Sequence, residues 1–212
     1  MNSEIVKMPD MNSQRLQIFP TLARTSPVSF TLGLILYAMM LPSFNSIYLV
    51  CLILITNGFN AFLKYAVMKP LYKWSGNNDL FLFGSGSRPS GATSCQFIID
   101  GKKATSFGMP SGHSQIAWTI GTYFICHLIN RFINNMSNEN KQETSAKLVI
   151  DNIWIFISML TILGVSIYIS YSRVYIEGCH TIQQVIVGGT VGILLGFLAF
   201  YFEDDIKTKM FK

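Results

Sequence analysis

The stretch TIQQVIVGGTVGILLGFLAFYF, running from Thr181 to Phe202, carries no Asp, Glu, Lys or Arg. A helix needs roughly 20 apolar residues to cross the hydrocarbon of a bilayer, and this stretch supplies them. Outward from it lie three more charge-free stretches, residues 152–172, 114–130 and Thr25 to Leu63. The last is long enough for two crossings, with Pro42-Ser43-Phe44-Asn45 as the turn between them. These gaps predict five membrane helices, at Pro27–Leu41, Ser46–Lys64, His113–Phe132, Asn152–Tyr171 and Thr181–Phe202. The expected fold is an all-α integral membrane bundle of about five helices.

Composition agrees. Of the 212 residues 50% are apolar and only 13% charged, about half the charged share of a soluble chain, which argues against a soluble enzyme. The net charge is +5 and the pI near 9.0, but the basic residues fall in short clusters between apolar runs and form no single face, so nucleic acid is not the expected partner. Of the four cysteines, Cys51 and Cys126 lie inside apolar runs, while Cys95 and Cys179 fall in loops and their pairing is left open. No CxxC or Cys/His cluster suggests zinc.

Residues 1–26, with Pro9, Pro20 and five charges, read as an N-terminal arm, mobile or interfacial. Residues 27–202 form the membrane domain, and 203–212 a charged tail. Alternation of sides puts the long polar stretch Tyr65 to Gly112 on the same membrane face as the short loop Ser172 to Cys179. Two loops therefore converge on one face, the expected location of the active site. Orientation is a tie, because the arm, the 131–150 loop and the tail each hold three Lys or Arg.

Two of the three histidines, His113 and His180, stand where a polar loop meets an apolar helix; His127 lies mid-span and reads as a hydrogen-bonded core residue. Pro110-Ser111-Gly112-His113 enters a helix with Ser111 as the N-cap and a glycine that admits a ligand to the backbone, the arrangement by which free amides and the helix dipole bind phosphate. Arg173 is a forked donor able to hold two phosphate oxygens. Gln184 follows His180 at the i+4 spacing that lets its amide touch the ring. Gly188, Gly189, Gly192 and Gly196 read as close-packing positions.

Three blocks, Lys64 with Arg88-Pro89, Pro110-Ser111-Gly112-His113, and Ser172-Arg173 with His180, resemble the three-part motif of the type 2 phosphatidic acid phosphatase superfamily of membrane lipid phosphatases. Within it, Gly108 to Gln115, Tyr171 to Tyr175 and His180-Thr181 with Gln184-Val185 are similar to the dolichyldiphosphatase branch, which tends to have Gln where most members have Asp. The resemblance covers roughly residues 46–202. It departs from the usual pattern in two places. The first-block lysine is Lys64 by its framework, with Lys69 and Lys73 as rivals. Between Arg173 and His180 stand six residues where five are usual, and inside a helix one extra residue would swing His180 by about 100°.

The resemblance implies a membrane phosphatase domain over 27–202 that hydrolyses a lipid phosphate or diphosphate, above all a polyisoprenyl diphosphate of dolichyl type. Phosphatidate and related glycerolipid phosphates are the runner-up, followed by a soluble sugar phosphate and a non-catalytic lipid-binding relative. It implies His180 as nucleophile forming a phosphohistidine, Gln184 as its orienting partner and His113 as acid and base. Lys64, Arg88, Arg173, Ser111 and the Gly112 amide would bind phosphate. It implies no cofactor or metal, and Asp79, Asp100 and Glu177 are scattered carboxylates without paired-metal spacing. The implied setting is a multi-pass protein of the endoplasmic reticulum, with membrane lipids around it.

Overall fold

The computed structural model describes residues 11–76, 79–92, 94, 95, 104, 106–137 and 145–210. Five long helices stand where five spans are expected: α1 (Met11–Met40), α2 (Phe44–Phe62), α4 (Gly112–Ser137), α5 (Ser145–Tyr171) and α6 (Ile182–Met210), with a short α3 (Lys69–Ser75) continuing α2. Among the described residues the sheet content is a two-residue antiparallel ladder, β1 (Asp79–Leu80) against β2 (Gly84–Ser85), with Asp79 opposite Ser85.

Three boundaries differ from expectation. α1 begins at Met11, so residues 11–26 are helix continuous with the first span and not a separate arm. α2 does not stop near Lys64: it passes through a π turn, Leu63–Met68, into α3, so residues 65–75 of the expected loop are helical. Pro70 sits where the π turn passes into α3, and Gly76 ends that helix in the left-handed region at φ 68°. α6 runs on to Met210, carrying Lys207 and Lys209 in its last turn, where the helix dipole favours cations. Much of the charged tail is therefore a helical extension.

The helical segments Phe44–Ser75, Lys147–Ile176 and Ile182–Met210 are long and apolar enough to cross a membrane. α4 is less apolar because it is the central helix, packed against α1, α2, α5 and α6, and it buries Ser114, Gln115 and Thr119. α5 turns Ile153, Trp154, Phe156, Ile157 and Leu160 outward, as a lipid-facing helix does. The α4–α6 seam is closed by glycines: a Cβ at Gly188, Gly192 or Gly196 would collide with the carbonyl oxygen of Ser111, Gln115 or Thr119 respectively. Both triplets step by four, so one face of α6 lies on the backbone of α4. That seam sets the starts of the two helices side by side, with His113 on one and His180 just before the other.

At the far end, Ser43 and Ser46 form a reciprocal capping box at the start of α2. There His127 Nε2 lies 2.7 Å from Glu203 Oε2, a hydrogen-bonded histidine within the bundle.

Candidate active site

α5 ends in a second π turn, Ser172–Ile176, in which the Glu177 N–H donates to the Ser172 carbonyl at 2.8 Å. A π turn takes in more chain than an α turn. The Arg173 carbonyl then accepts from the N–H groups of both Cys179 (3.0 Å) and His180 (3.2 Å), closing the segment into a loop. The additional residue between Arg173 and His180 is thereby absorbed without rotating the histidine out of the site.

His180 is 3% exposed, and its Nδ1 lies 2.8 Å from Gln184 Oε1. The direction of that bond follows from the other end of the amide. Gln184 Nε2 donates to the carbonyls of Ser85 (2.8 Å) and Ser87 (2.7 Å), which only accept, so Oε1 faces the ring and Nδ1 carries the hydrogen. The Nε2 lone pair of His180 is left for chemistry. Gly108 makes room for the amide, since a Cβ there would strike the Gln184 side chain.

Gly112 and His113 open α4. A Cβ on Gly112 would press on Asn60 Oδ1, and Asn60 Nδ2 donates to Gln115 Oε1 at 2.7 Å, while Gln115 Nε2 reaches the Thr56 carbonyl at 3.1 Å. This buried network ties α2 to α4 directly beneath Lys64. His113 Nε2 lies 3.3 Å from the Arg24 carbonyl, which makes Nε2 the protonated nitrogen.

Lys64, Arg88, Gly112, His113 and His180 line one cavity of about 220 Å³, together with Asn57, Asn60 and Tyr65. Arg88 is held on three sides, donating from Nε to the Ser106 carbonyl (3.1 Å), from Nη2 to Ser106 Oγ (2.9 Å) and from Nη1 to the Cys179 carbonyl (3.0 Å). Arg173 is fully buried. Its Nε and Nη2 donate to Ser172 Oγ, but Nη1 has no partner, the one buried side-chain polar atom among the described residues left so. A buried guanidinium nitrogen without an acceptor is costly, and an oxyanion is what would satisfy it.

Of the three rival lysines, Lys64 alone lines this cavity; Lys69 lines a neighbouring one and Lys73 is exposed in the last turn of α3. Ser111 lies behind the site, fully buried, its N–H donating to the Gln184 carbonyl (2.9 Å) and its Oγ accepting from Ser114 Oγ (3.3 Å). Its amide therefore joins α4 to α6. Burial, with the positive charge of Arg88, Lys64 and His113, holds the pKa of His180 well below the usual histidine value, so the ring is neutral near pH 7. Among the described residues no group of three metal-ligating side chains comes together.

Several residues of the site stand outside the sequence-predicted set. Cys95 and Cys179 form a disulfide with Cα atoms 6.2 Å apart, fastening the Arg88 loop to the residue before His180. Asn60 and Gln115 form the network beneath Lys64. Arg24 pairs with Glu177, the lone carboxylate between Arg173 and His180. The available signals were weak: two loop cysteines, and a single arginine and glutamate bordering the apolar runs.

The profile described as PAP2 superfamily matches residues 45–207. Over 107 residues the chain is 34% identical to dolichyldiphosphatase 1 of Homo sapiens, covering 50% of this chain and 41% of that protein. The Mus musculus dolichyldiphosphatase 1 is 33% identical over the same length. The matched stretch spans less than half the length of these curated relatives. Among solved structures, the crystal structure of the first transmembrane PAP2 type phosphatidylglycerolphosphate phosphatase from Bacillus subtilis superposes with a TM-score of 0.51 at 19% identity, covering 95% of this chain and 80% of that one. That likeness is one of fold.

Proposed function

The chain belongs to the PAP2 superfamily, and from that premise we propose that it is a metal-independent membrane phosphatase acting on a lipid phosphate or diphosphate, most favourably a polyisoprenyl diphosphate of dolichyl type. The observation that carries the reading is the cavity shared by His113, His180, Lys64 and Arg88, with the buried Arg173, whose charge acts on His113, holding a donor, Nη1, that has no acceptor. Such a cluster lacks an anion. A tetrahedral phosphoryl group matches the Nη1 donor of Arg173 and the point charge of Lys64.

His180 Nε2 attacks the terminal phosphorus, forming a P–N bond as the bond to the leaving oxygen breaks. His113, protonated, gives that oxygen its proton. A water then attacks the phosphohistidine, passing its proton to His113, and the P–N bond breaks to return His180 and release phosphate. Lys64, Arg88 and Arg173 offset the charge on the equatorial oxygens, and the Gly112 amide at the start of α4 adds a donor. The dolichyl preference is supported by Gln184 and by the identity to dolichyldiphosphatase 1. Both imidazoles sit at helix starts, which supports a lipid substrate whose tail stays in hydrocarbon while its phosphate enters the cavity.

Disulfides persist on the oxidising side of a membrane, so the Cys95–Cys179 bond supports a site facing such a compartment, as the lumen of the endoplasmic reticulum is. The test is phosphate release by the purified protein in chelator, from dolichyl diphosphate, farnesyl diphosphate and phosphatidate, with His180→Ala as control. Release by the parent alone, with acid-labile phosphate trapped on His180, is the expected result. Equal release by the variant sinks the reading, and a preference for phosphatidate moves the substrate to the glycerolipids.

A further inference from the structure

Arg24 is the last charged residue before the charge-free run of α1. Here α1 is seated firmly: Ala23 is 3% exposed and packs in one cluster with Ala117 of α4 and Ile169 of α5. One turn on, Pro27 lines the cavity that holds His113 and His180. Arg24 reaches both catalytic segments from this position. Its Nε and Nη2 donate to Glu177 Oε2 at 3.0 and 2.5 Å, in a pair whose side chains are 22% and 6% exposed. Its main-chain oxygen accepts from His113 Nε2 at 3.3 Å. Glu177 in turn is anchored by its own N–H to Ser172, in the loop that carries Arg173 and His180.

We infer that Arg24 and Glu177 are positioning residues for proton transfer: their ion pair holds the Arg24 carbonyl against His113, so that Nε2 keeps its hydrogen and Nδ1 alone exchanges the proton with the leaving oxygen. The inference rests on the phosphatase reading and on His113 as the acid. Its chemistry is the first transfer: the His180 Nε2 lone pair forms the P–N bond, the P–O bond breaks with its electrons going to the oxygen, and that oxygen takes the proton from His113 Nδ1. Arg173, Lys64 and Arg88 all act on the His113 ring with positive charge. Burial works with these charges against a second proton on the ring, and the acceptor fixed on its far nitrogen works for it. A carbonyl suits the purpose, being able only to accept, and it stays in place only as firmly as the helix turn that bears it. The Arg24–Glu177 pair fastens that turn to the very loop that must stay in register with His113.

A plain structural staple would weaken the fold without caring which substrate is used, and that difference is the test. The purified full chain is assayed by kcat/KM, which reports the first transfer, on two phosphate monoesters. One is 4-nitrophenyl phosphate, whose leaving group departs without a proton. The other is a short-chain phosphatidate, whose alkoxide needs one. Because positioned acids contribute on the order of 10²–10⁴-fold, Glu177→Gln is expected to lower kcat/KM for phosphatidate about 10²-fold and for the aryl ester less than about threefold. The double exchange Arg24→Glu with Glu177→Arg is expected to recover at least about tenfold of the loss, since it restores a buried pair. Equal losses on both esters, or a gain in rate from breaking the pair, would overturn the inference. A parent that releases phosphate from neither ester nor from dolichyl diphosphate sinks the phosphatase reading and this inference with it, whereas an active parent with equal losses sinks only the inference; for a parent active on the diphosphate alone, the tautomer of the His113 ring decides. Should the variants fail to fold, ¹⁵N chemical shifts of the His113 ring in the parent decide: hydrogen on Nε2 is expected, and the Nδ1–H tautomer refutes it.

Discussion

Gln184→Glu is the sharpest perturbation of this site, because it changes an NH₂ to an oxygen at constant shape. In the structure the Gln184 side chain is fully buried, and its Nε2 satisfies the carbonyls of Ser85 and Ser87 at 2.8 and 2.7 Å. A glutamate would face both carbonyls with an acceptor. Leaving a buried acceptor unpaired costs about 1–3 kcal/mol, so two of them cost about 2–6 kcal/mol before any charge repulsion is counted. For a chain of this length that corresponds to an unfolding midpoint lowered by roughly 5–20 °C. The acidic residue used at this position by most of the superfamily is thus expected to damage this protein, since here the amide also holds the loop that leads to Arg88. The assay is thermal unfolding in detergent alongside kcat/KM for the diphosphate substrate, with Gln184→Met as an apolar control lacking the charge. A Gln184→Glu protein with the parent's midpoint and undiminished activity would refute the argument that the donor end of this amide is what the fold requires.

Other predictions follow from single contacts. Arg173→Met removes the buried guanidinium nitrogen that has no partner, so the midpoint should not fall, while kcat/KM drops by about 10³-fold; a marked loss of stability would show that the cation is not held for a ligand. Among the lysines, Lys64→Ala should cost about 10²-fold in kcat/KM and Lys69→Ala and Lys73→Ala little, as steady-state kinetics on the three variants will tell. His180 is kept neutral by burial and by Arg88, and it is nucleophilic only when neutral, so the acid limb of kcat/KM should lie below the ordinary histidine range. Removing a cation stabilises the imidazolium, so Arg88→Gln should raise that pKa and move the acid limb to higher pH. A limb that stays or moves lower would contradict the charge argument.

The hydropathy gaps placed all five long helices, because the cost of a charge in hydrocarbon acts residue by residue and needs no knowledge of the partner. They located ends poorly. The break expected after Lys64 is a π turn that carries the helix on to Ser75, and residues 11–26 join the first helix where an arm was expected. Neither outcome is visible in hydropathy, which reports only solvent preference. The site was legible where a short motif implies local geometry, as with His180 and Gln184 one turn apart, and the glycines of α6 were read correctly as packing positions. Ser111 read as a phosphate ligand; that its amide also donates to the Gln184 carbonyl on another helix was not visible in the sequence.

By itself, then, the order of residues determined a multi-helix membrane protein with two histidines at one surface, since apolar length and i+4 spacing are properties of neighbours along the chain. Only the folded arrangement decided which lysine joins the cavity, how the six-residue interval brings His180 back to Arg173, that Cys95 meets Cys179, and that Arg24 grips Glu177 across 153 positions of sequence. Those pairings depend on the rotation and depth at which the helices dock. Docking is governed by the glycine seam between α4 and α6, where backbone lies on backbone and each missing Cβ sets how closely the two helix starts approach.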